Sequence, residues 1–253
     1  MSMFEIVFSP TGGTEKVSGL VTGVLDGNIV TVDLTDSGLD FHGVSMAKGD
    51  VAVISVPSYA GRVPAVAVER LGMVRGNGAR AVLVCVYGGR AFEDTLIELE
   101  DVAKRAGFGV VAAVSAIAEH SVARQFAAGR PDAQDVAQLS EFAQRIRQKL
   151  LDGAASEPSI PGNRPYKQAG GHSMVPHATE DCVSCGACAA LCPVRAIDKD
   201  DPRQVDGEAC ISCMRCVSVC SQNARKLDPN KLAAVTQMLS KACVERRECE
   251  IFI

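Results

Sequence analysis

Tryptophan is absent from the 253-residue chain, tyrosine occurs three times, and the four histidines are scattered at positions 42, 120, 172 and 177. So thin a histidine set excludes a histidine-rich di-iron centre and leaves little for a haem. No run approaches the ~20 apolar residues that cross a bilayer, and the amino terminus lacks a basic start followed by a long apolar stretch. A soluble, cytoplasmic protein without membrane insertion is expected. An excess of positive charge is missing too: 26 Lys and Arg against 30 Asp and Glu give a net charge of -4, which argues against nucleic acid as a partner. Cysteine, by contrast, is abundant. Eleven cysteines without a secretion signal point to metal or redox chemistry rather than to a disulfide scaffold.

Cysteine usage divides the chain. Cys85 precedes residue 180 and the other ten follow it. The reading gives a first domain over residues 1–152, a linker over 153–178 carrying four prolines, a cysteine-rich domain over 179–228, and a C-terminal helix with a docking tail over 229–253. In the first domain, short β-branched runs at 3–8, 28–33, 50–56, 79–87 and 108–118 read as buried parallel strands. Helical stripes alternate with them: Val17, Leu20, Val21 and Val24; then Phe92, Leu96, Leu99, Val102 and Ala103; then Val136, Leu139, Phe142, Ile146 and Leu150. Five strands alternating with helices predict an α/β fold with a doubly wound parallel sheet, whose ligand crevice lies at the carboxyl ends of the strands.

The first strand ends in Ser9-Pro10-Thr11-Gly12-Gly13-Thr14 and a helix follows at once. Glycines permit close backbone approach, hydroxyls donate, and helix N-terminal amides hold an anion. The loop contains no lysine and no GxGxxG, which excludes a nucleotide-triphosphate loop and weakens a dinucleotide reading. This pattern resembles the FMN-phosphate loop of flavodoxins, in which two further loops, after the third and fourth strands, enclose the flavin ring. The resemblance implies a flavodoxin-like five-stranded parallel sheet of order 2-1-3-4-5. It gives Ser9, Thr11, Gly12, Gly13 and Thr14 to the phosphate, and Pro57, Ser58, Tyr59, Ala60, Gly61, Gly88, Gly89, Arg90 and Phe92 to the ring. With no tryptophan present, Tyr59 and Phe92 are the expected aromatic faces, and Arg62 and Arg90 could stabilise an anionic reduced flavin.

The second part contains Cys182-x2-Cys185-x2-Cys188-x3-Cys192-Pro193 and, seventeen residues on, Cys210-x2-Cys213-x2-Cys216-x3-Cys220. Such runs ligate [4Fe–4S] clusters, the first three cysteines of one run sharing a cluster with the fourth of the other. That rule assigns Cys182, Cys185, Cys188 and Cys220 to one cluster, and Cys210, Cys213, Cys216 and Cys192 to the second. A pair of zinc sites would leave the third spacing in each run unexplained. Ser221 replaces the proline that follows the last cysteine of the first run, so the two cluster potentials are expected to differ. Cys85 reads as a core residue, and Cys243 and Cys249 as unligated. A flavin or cluster role for His120 is the weaker reading beside a structural hydrogen bond.

Taken whole, the chain resembles the fused flavodoxin–ferredoxin proteins of anaerobic prokaryotes, with a small α+β ferredoxin-like domain of the 2[4Fe–4S] type after the flavodoxin-like one. The resemblance implies FMN, two [4Fe–4S] clusters and electron exchange with a redox protein partner, with no catalytic acid, base or nucleophile. The alternative is a flavin-dependent reductase of a small organic substrate or NAD(P)H, with Tyr59, Arg62, Arg90 and His120 about its pocket. A linker of this length permits transfer within one chain or across a homodimer.

Overall fold

Side chains branched at Cβ crowd a helix but suit a pleated surface buried on both faces, and each of the five apolar runs forms a strand. The computed structural model describes residues 2–25, 28–153, 156–170 and 174–253. In it β1 (Met3–Val7), β2 (Ile29–Asp33), β3 (Val51–Pro57), β4 (Arg80–Tyr87) and β5 (Gly109–Ile117) pair in parallel in the order β2-β1-β3-β4-β5. This is the flavodoxin-like doubly wound order, whose strand direction of growth reverses between β1 and β3. Helices α1 (Gly13–Leu25) and α4 (Ala133–Leu151) lie together on one face, α2 (Ala65–Met73) and α3 (Thr95–Arg105) on the other.

The alternation of strand side chains builds two cores. Val51, Val53, Val82 and Val84 meet Val17, Val21, Leu139 and Ile146. Ala52, Ile54, Leu83 and Cys85 meet Leu71, Leu96 and Leu99. Each large apolar side chain buried this completely contributes about 1.5–3 kcal/mol relative to exposure. Cys85 is fully buried, and that burial pushes its thiol far above the ordinary value.

The sheet departs from a five-stranded parallel one at its far edge. After α7 (Pro229–Ala242) the expected docking tail pairs as a strand, β8 (Glu250–Phe252), antiparallel to β5 with Ser115 opposite Glu250. The result is six strands, and the edge of β5 is covered. Arg246 anchors this return on Asp132 and Asp135, the residues that form the capping box of α4. Helix α2, which the stripes did not reveal, is nine residues long, and its first four residues, Ala65-Val66-Ala67-Val68, alternate as a strand would. Phe92 also falls outside α3, which begins at Thr95.

The cysteine-rich unit is built from β6 (His177–Ala178) against β7 (Arg225–Lys226) and two short helices, α5 (Ala187–Ala190) and α6 (Arg215–Ser218). Three arginines join it to the sheet domain through backbone carbonyls: Arg70 to Pro193, Arg195 to Ser37 and Arg215 to Ser9. Of the expected linker, residues 154, 155 and 171–173, including His172, lie outside the described residues. The stretch 156–170 runs as a strap along α3. Asp94 accepts the Asn163 and Lys167 amides at 2.8 and 2.7 Å, and Asp101 takes Arg164 and the Tyr166 hydroxyl.

Candidate functional site

Four loops leave the carboxyl ends of β1, β3, β4 and β5, and together they enclose a cavity of about 410 Å³. That is within the usual range for a cofactor pocket. Its floor at β1 is the loop containing Pro10, Thr11, Gly13 and Thr14. Gly12 takes φ +86°, and a Cβ on Gly13 would lie 3.3 Å from Ala118 Cβ, so the glycine pair is required for the turn and for close contact with the β5 loop. Ser9 does not line the cavity. Its hydroxyl accepts the Glu15 amide at 2.9 Å and caps the first turn of α1, whose leading amides have no acceptor within the helix.

After β3, Tyr59 and Arg62 exchange both backbone hydrogen bonds, at 2.9 and 3.1 Å, around Ala60 (φ 52°) and Gly61 (φ 85°). Two successive positive φ values make this a tight primed turn. Pro57, Ser58, Tyr59 and Ala60 face the cavity; Gly61 is buried against Glu93 instead. Arg62 lines the cavity but is committed: Glu98 takes its Nε and Nη2 at 2.8 and 2.7 Å, Lys167 O takes Nη1, and Tyr166 lies under the guanidinium. Arg62 therefore fastens the strap to this turn, and the strap brings Ala169 and Gly170 to the cavity, where a Cβ on Gly170 would be 3.1 Å from Ala60.

The loop after β4 changes the expected aromatic faces. Gly88 lines the cavity, and a Cβ there would meet His120 at 2.5 Å. Gly89, Arg90 and Phe92 do not line it. Arg90 is paired with Glu93 at 3.0 and 2.8 Å. Phe92 turns inward, edge-on to Tyr87 with centroids 5.5 Å apart, because α3 starts only after Asp94. Tyr87, not Phe92, joins Tyr59 on the cavity wall. Burial first, then the nearby Cys213, pushes the Tyr59 phenol well up, so it stays protonated. His120 accepts the Val122 and Ala123 amides at Nδ1, at 3.2 and 3.1 Å, which puts the proton of the neutral ring on Nε2. Burial and then the charge of Arg90 lower its pKa, so neutral is the favoured form.

The last wall comes from the cysteine-rich unit. Ile211 and Ser212, between Cys210 and Cys213, line the same cavity as the Thr11–Thr14 loop. The Ser212 hydroxyl is buried there with no partner among the described residues. An orphaned donor, a cradle of helix amides and hydroxyls, and glycines that a Cβ would obstruct are features that fit a phosphate-bearing aromatic cofactor.

The two cysteine runs share one backbone. A shift of 28 residues carries Ser184, Gly186 and Arg195 onto Ser212, Met214 and Asn223, and all six have positive φ. It also carries the Ala196 amide, which donates to Cys192 Sγ at 3.3 Å, onto the Ala224 amide, which donates to Cys220 Sγ at 3.3 Å. Left-handed turns aim successive N–H groups into one concavity, and such nests hold anionic iron–sulfur groups. Among the described residues no three metal-ligating side chains converge as they would around a single ion. Burial pushes Cys213 up to about 11, with Cys192 and Cys210 adding to it, and pushes Cys216 up to about 12, with Cys213 adding to it, Arg225 opposing, and Cys210 and Cys188 adding further. The surroundings differ: Cys213 and Met214 are buried, whereas Cys185 is exposed beside exposed Val183 and Leu191. Cys243 and Cys249 lie apart from both runs, Cys249 buried against Asp135.

The sheet order 2-1-3-4-5 is that of a flavodoxin-like fold, and a repeated four-cysteine unit follows it in the chain. Residues 156–237 match the family of 4Fe-4S dicluster domains, a span that begins in the strap and ends in α7. No curated protein matches the chain. Similar solved structures include a flavodoxin of Streptococcus pneumoniae TIGR4, 20% identical with a TM-score of 0.40, covering 58% of this chain and 99% of that one. Flavodoxin 1 of Bacillus cereus is 13% identical with a TM-score of 0.42, covering 58% and 98%. A Fusobacterium nucleatum flavodoxin bound to flavin mononucleotide is 16% identical with a TM-score of 0.38, covering 58% and 96%. The fold assignment rests on the sheet order itself. No helix among the described residues is long and apolar enough to cross a membrane.

Proposed function

We propose that the chain is an electron carrier that binds FMN in the cavity and two [4Fe–4S] clusters on its eight run cysteines, one on Cys182, Cys185, Cys188 and Cys220, the other on Cys192, Cys210, Cys213 and Cys216. The observation that carries this reading is that Ile211 and Ser212, flanked by two of those cysteines, form a wall of the cavity into which the phosphate loop opens. When bound, the flavin supplies two-electron chemistry and the clusters supply one-electron chemistry.

The residues of the chain bind and orient. The first-turn amides of α1 with the Thr11 and Thr14 hydroxyls receive the phosphate, and the protonated Tyr59 and the Nε2–H of His120 offer donors to the ring without adding charge. Arg62 and Glu98 fix the turn after β3, and Ala169 and Gly170 limit the entry of water. The first run, with Cys185, Val183 and Leu191 at the surface, suits contact with a redox protein partner. This arrangement favours transfer within one chain.

Anaerobic reconstitution of the full chain with iron, sulfide and FMN tests the reading: a flavin spectrum and about eight irons per chain are expected. Protein showing neither overturns it. Stopped-flow mixing with NADH and NADPH separates a carrier, whose flavin stays oxidised, from a reductase, whose flavin bleaches without a second protein.

A further inference from the structure

The 28-residue repeat that matches Ala196 with Ala224 next matches Ile197 with Arg225. Ile197 is an ordinary apolar residue of the small core, 4% exposed. Arg225 is buried more deeply, at 2%. A guanidinium cannot give up its proton, so burial leaves a fixed charge and five N–H donors to be satisfied. Nη2 donates to the Pro202 carbonyl and lies 3.3 Å from Cys188 Sγ. Among the described residues the buried Nε and Nη1 have no partner, and no carboxylate touches this guanidinium. Its surroundings are cysteines of both predicted sets: Cys188 in contact, and Cys210 and Cys216 within reach of its charge.

An uncompensated buried cation with two orphan donors is costly in a protein interior unless an anionic group with acceptor atoms completes it. We propose that Arg225 is the counter-charge of the iron–sulfur groups, its Nε–H and Nη1–H donating to cluster sulfur, and that it favours the reduced state, most strongly in the cluster that includes Cys188. This rests on the cofactor reading above. One-electron reduction adds one negative charge to a cluster, and a fixed positive charge a few ångströms away in a weakly screening interior stabilises that added charge. The isoleucine at the equivalent place in the first half supplies no such charge, so the asymmetry is built into the repeat.

The test uses the reconstituted full chain as wild type, Arg225→Met and Arg225→Lys, with iron content and a redox titration followed by electron paramagnetic resonance. Arg225→Met is expected to keep about eight irons. At a fixed solution potential its reduced-to-oxidised ratio should fall about tenfold, which for a one-electron couple is a potential about 59 mV lower. Arg225→Lys, which keeps the charge, should recover most of that shift. Without iron, Arg225→Met gives up the bond to Pro202 but also removes an uncompensated buried charge, so it should be no less stable than wild type.

A full iron complement with unchanged potentials in Arg225→Met overturns the inference and leaves the cofactor reading intact. Equal loss of iron in both variants also overturns it, and assigns Arg225 to holding Pro202. A wild-type chain that takes up no iron overturns the cofactor reading, and this inference falls with it.

Discussion

The two cysteine runs have the same spacing, the same left-handed turns and the same amide-to-sulfur bonds, yet only the second lines the cavity, while the first leaves Cys185 exposed. Local sequence explains the first fact and cannot explain the second. The difference arises because the arginines that join the units, Arg70, Arg195 and Arg215, address the carbonyls of Pro193, Ser37 and Ser9 and so present Ile211 and Ser212, rather than Val183 and Ser184, to the phosphate loop. A ligand motif fixes what can be bound. Its neighbours fix where an electron can go next.

The strongest way to break that comparison is to remove one ligand from each run. Cys213→Ser and Cys185→Ser should each lower iron from about eight to about four per chain. Only Cys213→Ser should also weaken flavin retention, because its loop walls the cavity; losing one such polar and apolar contact at about 1–2 kcal/mol corresponds to about a tenfold higher flavin Kd. Iron analysis and a fluorescence titration with FMN read both effects. If the two variants released flavin equally, the division into a cavity-facing and a solvent-facing run would be wrong.

What the sequence conveyed follows the same division between local and distant. The strands were legible because burial on both faces leaves unbroken β-branched runs, and the repeated unit because its cysteine spacing is written in the sequence itself. The Ser9–Thr14 loop was legible from glycines and hydroxyls at the end of a strand. Phe92 was placed in the cavity and Tyr87 overlooked because both lie in one short stretch, and which ring turns outward depends on α3 starting at Thr95, a boundary that periodicity does not fix. Arg90 was misplaced for a similar reason: its partner Glu93 sits three residues on, and pairing takes it away from the cavity. Ala169, Gly170, Ile211 and Ser212 carry no motif, and only the tertiary path of the strap and the docking of the small unit bring them to the site. The tail strand is three residues long, too short to announce itself.

A second substitution perturbs the cavity without touching a cysteine. In Gly88→Ala the new Cβ would lie 2.5 Å from His120 Cδ2 and 2.8 Å from its Cβ, so the β4 and β5 loops must separate. Overpacking of this kind costs about 1–3 kcal/mol. Flavin affinity and thermal stability should both fall while the iron content of both runs stays at the wild-type level. Loss of iron alongside flavin would show that the cavity and the cysteine runs form one cooperative unit rather than two adjoining ones.

The smallest effect concerns the strap that closes the cavity-facing side. Glu93 binds Arg90 and also takes Lys167 at 2.5 Å, and the strap continues from Lys167 to Ala169 and Gly170 at the cavity. The bonds from Arg90, then those from Lys167 against some opposing burial, hold its carboxyl at about 2, below the ordinary 4.5. A carboxylate lowered on folding contributes stability above its unfolded pKa, and that contribution is lost as pH falls from about 4.5 through about 2. The pair is partly exposed, so screening limits its worth to about 1 kcal/mol. Glu93→Gln should therefore be less stable than wild type by up to that amount at pH 6, with the gap closing below pH about 4.5 and gone near pH 2, as read by urea unfolding across the range. The cavity-facing side would then respond to acid through this contact; a gap of constant size across that range would remove Glu93 from the account of how the strap is held.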